Sequence, residues 1–175
     1  MVNRALRAAL LNGGLYRELS DEPQEIFYAL GIVVISGLAL GLGLQSQPPI
    51  TLEGSPPWLV VLFSAYTRLA GWFMWAGIVY IVGSKLLGGK AGFRQLLRSL
   101  GLSFGPGVLA VFAGIPVVGI FFLSLSALWM FPAGWVAIKE TQQFDWVRAF
   151  ICAALGWLFG IFGLMVLFLP IQPSI

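Results

Sequence analysis

The chain has 175 residues, of which 59% are hydrophobic and only 10% charged, with a formal net charge of +3. A soluble domain carries about 25% charged residues, so this chain lacks the polar groups to clothe a water-facing surface, and the solvent that fits it is a bilayer. The absence of histidine removes the commonest metal ligand and general base, and a single cysteine, Cys152, excludes an intrachain disulfide.

From the N-terminus, Val2, Leu6, Ala9 and Leu10 fall near helical spacing, with Arg4 and Arg7 elsewhere. That pattern suits a short helix lying on the inner leaflet, and equally a frayed tail. It is not the pattern of a cleaved leader: "AALL" is too short for an apolar leader core, and Arg17 and Glu18 follow it. Gly13 and Gly14 close the segment. Asp21, Glu22, Pro23 and Glu25 then read as a helix start, because acids complement the N-terminal dipole and proline fits the first turn.

Five apolar segments follow: Ile26 to Leu44, Trp58 to about Val82, about Leu96 to Gly114, about Val117 to Ile138, and about Arg148 to Leu169. Each approaches the length a helix needs to cross about 30 Å of hydrocarbon. None shows the alternation of a barrel strand. The fold expected is all-α, a polytopic bundle of five transmembrane helices, organised as a cytoplasmic segment (1–25), a membrane domain (26–170) and a tail (171–175). Lys and Arg placement orients it. With the N-terminus in the cytoplasm, Arg4, Arg7, Arg17, Lys85, Lys90, Arg94, Arg98, Lys139 and Arg148 are all inside, and the outer segments hold Glu53 but no cation. Five spans then leave the C-terminus outside.

The loop "GSKLLGGKAGFR", Gly83 to Arg94, has the glycines and the lysine of a phosphate-binding loop. Counted back from Lys90, however, Ser84 stands where that motif needs its first glycine, and Ala91 where it needs a hydroxyl. The flanking spans also deny it a parallel sheet. The alternative is a membrane-surface loop in which Lys85, Lys90, Arg94 and Arg98 set the topology, contact anionic headgroups or meet an acidic partner, while the glycines act as a flexible hinge. Each such cation is worth about 1 kcal/mol at an anionic leaflet.

Arg68 lies inside the second span, with no acid in any span to pair with it. Trp72 and Trp75 share its helix face and allow a cation–π contact with Trp72; two placements are open, snorkelling to the outer phosphates, or a buried polar contact that would favour a polar cavity. Pro106 should break the third span, since it cannot donate to the Leu102 carbonyl, and Pro132 should kink the fourth. Gly37/Gly41, Gly101/Gly105 and Gly156/Gly160 are GxxxG pairs. Among 22 glycines such pairs arise by chance, so they mark only a Gly-rich bundle. Cys152 has no histidine to activate it, the acids form no intramembrane dyad, and no metal motif is present. An enzyme is not expected, nor a cofactor, a metal or a nucleic-acid partner.

The stretch "VYIVGSKLLGGKAGFRQLLRSLGLSFGPGVLAVFAGIPVVG", Val79 to Gly119, resembles the central region of the Yip family of integral membrane proteins. The likeness rests on the Gly-rich basic loop, the "FRQLLR" after it and the proline within the third span. It implies five spans with the N-terminus inside and the C-terminus outside, and it carries no catalytic residues. Eukaryotic members are associated with Rab-type GTPases, vesicle traffic and membrane shaping. The short segment before the first span lacks their cytosolic arm, which points to a prokaryotic-type member in a bacterial or cyanobacterial cell membrane rather than Golgi or ER. The expectation is a protein acting by interaction, as a scaffold, membrane organiser or accessory subunit, with anionic lipids and other membrane proteins or copies of itself as partners. The other reading is a small transporter or lipid-handling protein that uses Arg68 and the break at Pro106.

Overall fold

The computed structural model describes residues 24–46 and 54–168, together with Gly14, with side chains as far as residue 159. The surface helix expected at Met1 to Leu11, the acidic helix start at Asp21 to Pro23, much of the Pro-rich loop and the C-terminal tail lie outside the described residues.

The described residues are helical and include no strand. Helix α1 is Glu25–Leu44 and α2 is Pro57–Val79. Pro57 occupies the first turn of α2, where its missing N–H costs nothing. The helix then widens into a seven-residue π-helix, Tyr80–Leu86. Helix α3, Phe93–Leu102, is followed by a ten-residue 3₁₀ segment, Gly105–Gly114, then by α4, Gly119–Gln142, and α5, Trp146–Phe168. Among the described residues three helices are long and apolar enough to cross a membrane: α1, α2 with its π extension, and α4. The α3–3₁₀ pair makes a fourth if its two parts, bent by 45°, form one span.

That pair differs from the kinked α-helix expected there. The α-helix stops at Leu102, and Pro106 stands in the first turn of the 3₁₀ segment. A proline so placed has no donor to lose, so it starts the second half instead of distorting the first. A 3₁₀ helix rises about 2.0 Å per residue against 1.5 Å for an α-helix, which stretches this short sequence toward the thickness of the hydrocarbon. Pro132 does not end α4, which runs through it as one helix. Between the 3₁₀ segment and α4, the exposed Val117 adopts φ 69°, a left-handed conformation that a β-branched residue rarely enters.

Packing closes these elements into a ring: α1 against α2, α2 against α5, α5 against α4, α4 against the 3₁₀ segment, and that segment against α1. Helix α3 lies against α1, α2 and α4, with Leu96, Leu97 and Leu100 buried. Trp72 and Trp75 of α2 fill the interior. The Trp72 indole donates to the Leu97 carbonyl at 3.0 Å, tying α2 to α3. Trp75 lies so close to Gly134 of α4 and Gly156 of α5 that a Cβ at either would overlap its ring.

The Gly37/Gly41 pair proves to be structural. A Cβ at Gly37 would lie 2.6 Å from the Ala65 Cα, and one at Gly41 would strike Val61, so the two glycines form the α1–α2 seam. Gly101 likewise admits Ala29 of α1 against α3. Gly105 faces open space, so its GxxxG partnership with Gly101 has no packing role.

Candidate functional site

Two arrangements stand apart from the apolar packing. The first is the basic loop. Gln142, the last residue of α4, is 1% exposed although it is an uncharged polar side chain at a helix end. Its Oε1 accepts the Ala91 N–H at 3.1 Å, and its Nε2 donates to the Ser84 hydroxyl at 2.9 Å. The Ser84 hydroxyl in turn donates to the Ala91 carbonyl at 2.7 Å. The side chain thus clasps both ends of the loop. Gly83 and Gly89 line its path: a Cβ at Gly83 would lie 2.6 Å from Nε2, and one at Gly89 would overlap Oε1. The expectation of a flexible hinge is therefore corrected for these two glycines, which are required for close approach. Gly88, at φ +73°, makes the turn between them. Ser84 and Ala91, the residues that spoil a phosphate-binding motif, are the two that the clasp holds.

The clasp fixes where the loop's cations stand. Lys85, Lys90 and Arg94 are exposed, and Arg98, one turn beyond Arg94, is partly buried with its Nε sealed from solvent. The Gln95 side chain accepts the Gly92 N–H at 2.8 Å and so fixes the start of α3. Aromatic rings surround this end of the bundle. Lys85 lies 5.5 Å over Tyr80, Tyr80 meets Phe93 edge-on at 6.0 Å, and Lys139 lies 4.7 Å over Trp146. Tyr and Trp beside Lys are the residues of a membrane–water interface. Two of the nearby acids are already engaged: Glu140 pairs with Lys139 at 2.7 Å, and Asp145 caps α5 through the Arg148 N–H at 2.8 Å while pairing with its side chain at 3.5 Å.

The second arrangement surrounds Arg68. Its stem passes over Gly37, whose Cβ position would lie 3.1 Å from the Arg68 Cβ. Its Nη1 donates to the Met130 Sδ at 3.2 Å, and its Nε is buried without a hydrogen-bond partner. Met130 lies near the middle of α4, so of the two placements left open the structure shows the guanidinium turned into the bundle. Among the described residues the cation–π contacts are those of Lys85 with Tyr80 and Lys139 with Trp146, while the Trp72 indole N–H donates to Leu97. Ser36 of α1 reaches the same place: its hydroxyl lies where a Cβ on Gly107 would stand, and that Cβ position is 3.4 Å from the Met130 Sδ. Pro106 itself is buried beside Gly107.

A family model described as the Yip1 domain matches residues 15–167. The chain belongs to the Yip1 family. No curated protein and no solved structure matches it. With apolar helices long enough to span, this Yip1-family protein is an integral, multi-pass membrane protein.

Sequence reasoning picked out the four basic residues of the Yip1-family loop, Arg68 and Pro106, and the structure places them in two separate neighbourhoods. It missed Gln142, Ser36 and Met130. Gln142 was one polar residue within "KETQQF", and no periodicity distinguished it from Gln143, which turns outward in a left-handed helix cap at φ 57°.

Proposed function

We propose that this Yip1-family protein acts by interaction and not by catalysis, as a scaffold, membrane organiser or accessory subunit. In this reading α5 is a fifth span, the N-terminus and the clasped loop face the cytoplasm, and the membrane is a bacterial-type cell membrane. The observation that carries the proposal is the loop itself. Lys85, Lys90 and Arg94 project from a segment fixed by Gln142, at an end of the bundle ringed by Tyr80, Phe93 and Trp146. Fixed cations at an interface meet anionic headgroups or an acidic protein surface at little entropic cost. The test compares wild type with K85Q/K90Q/R94Q, purified in mild detergent, for co-purifying lipid and stoichiometric protein. The proposal expects either the anionic lipid or the acidic partner to be lost from the variant. If both persist while side-specific labelling shows the topology intact, the proposal fails.

A second reading, lipid handling or transport, is favoured by one observation: Arg68 turns into the bundle beside the 3₁₀ segment that begins at Gly105 and Pro106. Substrate movement across proteoliposomes that is abolished by Arg68→Gln would support this reading over the first.

A further inference from the structure

Among the described residues of the membrane-spanning part, the charge of Arg68 has no counter-charge. A guanidinium stays protonated, and its hydrogen bond among the described residues is to a thioether, a weak acceptor. The nearest carboxylate on α1 is Glu25, about 18 Å along the helix from Gly37 at 1.5 Å per residue. Glu140 lies at the far end of α4 and already holds Lys139. Three polar groups near this position are buried without a hydrogen-bond partner among the described residues: the Arg68 Nε, the Ser36 hydroxyl, and the Ser126 hydroxyl one turn before Met130 on α4. A buried polar group left unpaired is costly, and an unpaired charge more so. Ser36 on α1 and Ser126 on α4 are thus unpartnered donors on the two helices that flank the unpaired Arg68 of α2, and a guanidinium with neutral hydroxyl donors near it suits an anion.

We propose that the Arg68 cluster binds the phosphate of an acidic lipid headgroup drawn into the bundle between α1, α2, α4 and the 3₁₀ segment. The Arg68 fork supplies parallel donors that match phosphate oxygens, and Ser36 adds a neutral donor. Gly107 lets the Ser36 hydroxyl pack against the 3₁₀ segment, where any Cβ would overlap it, and so sets where that donor stands. Arg68 itself remains partly accessible. The site is distinct from the basic loop: it lies about 17 Å into α2 from Pro57, whereas the loop follows the opposite end of that helix. The inference rests on the lipid-handling reading above and names its ligand class.

The experiment uses the full chain in detergent, with K85Q/K90Q/R94Q as the background so that loop binding is removed and the two sites are read separately. Native mass spectrometry follows titration with phosphatidic acid, with phosphatidylcholine and with inorganic phosphate. Phosphatidic acid is expected to bind, and Arg68→Gln to weaken it at least about 30-fold, as loss of one partner of a buried charge pair does. Arg68→Lys keeps the charge but not the fork and should fall between the two. Ser36→Ala removes a hydroxyl that has no partner in the fold, so the bundle should stay intact while affinity falls about tenfold. That variant carries the test if Arg68→Gln does not fold. Phosphatidic acid affinity unchanged in both Arg68→Gln and Ser36→Ala overturns the proposal. Inorganic phosphate competing as well as the lipid overturns the lipid assignment in favour of a free phosphate.

Discussion

Replacing Gln142 by alanine should free the basic loop while leaving the bundle folded. Ala91 is 4% exposed, and its N–H has Gln142 as its acceptor, so truncation leaves a buried donor unpaired, at a cost of about 1–3 kcal/mol. The side chain also fills the space against Gly83 and Gly89, and emptying it adds on the order of 1 kcal/mol. A loss of about 2–4 kcal/mol, at 1.4 kcal/mol per tenfold, raises the opening equilibrium of the loop by about 30-fold to several hundred-fold. Hydrogen exchange over residues 83–92 should accelerate by that factor while the middle of α2 stays protected. The protein supplies a second reporter. Cys152, the only cysteine, is fully buried, with its Sγ 3.6 Å from where a Cβ on Gly83 would stand. Its thiol should resist maleimide in wild type and react faster in Q142A. Unchanged exchange over 83–92, together with unchanged Cys152 labelling, would show that Gln142 does not hold the loop.

Two further outcomes follow from the packing. Gly37→Leu drives a side chain into the Ala65 backbone and should lower the melting temperature in detergent, at the overpacking cost of about 1–3 kcal/mol or more. A melting temperature equal to that of wild type would show that the α1–α2 seam is not as close as described. Trp72→Phe removes the indole donor to Leu97 and should cost about 1–2 kcal/mol in denaturant-induced unfolding; no change would mean that this bond does not tie α2 to α3.

What the sequence disclosed follows from what local patterns encode. Apolar length and Lys/Arg asymmetry depend on the bilayer, so α1, α2 and α4 were readable as spans within a few residues. The α3–3₁₀ break was half legible. Pro106 announced an interruption, and the α-helix ends at Leu102, whose carbonyl it cannot serve; the ten-residue 3₁₀ segment that follows, seated on α1 where Gly43 meets Ala110, has no local pattern that marks it. The clasp was not legible, because Gln142 and Ala91 are brought together from distant positions and only the fold selects the partner. The glycines misled for the same reason: flexibility and close approach demand the same residue, and only the neighbour at Gly83 and Gly89 tells which is in use. For Arg68, the sequence put the charge within the second span and left its direction open; that direction depends on Gly37 leaving a path across α1.

The interaction account depends most directly on whether the clasped cations gather anionic lipid. Trp146 is 53% exposed at the end of the bundle that carries the loop, so among the seven tryptophans the emission component lost in Trp146→Phe reports on lipid there, and the quenching compared is of that component. In reconstituted vesicles, quenching by brominated phosphatidylglycerol should exceed quenching by brominated phosphatidylcholine at equal mole fraction. In K85Q/K90Q/R94Q that preference should fall most of the way to parity, since three cations at about 1 kcal/mol each are removed. A preference that is the same in wild type and variant would contradict the account.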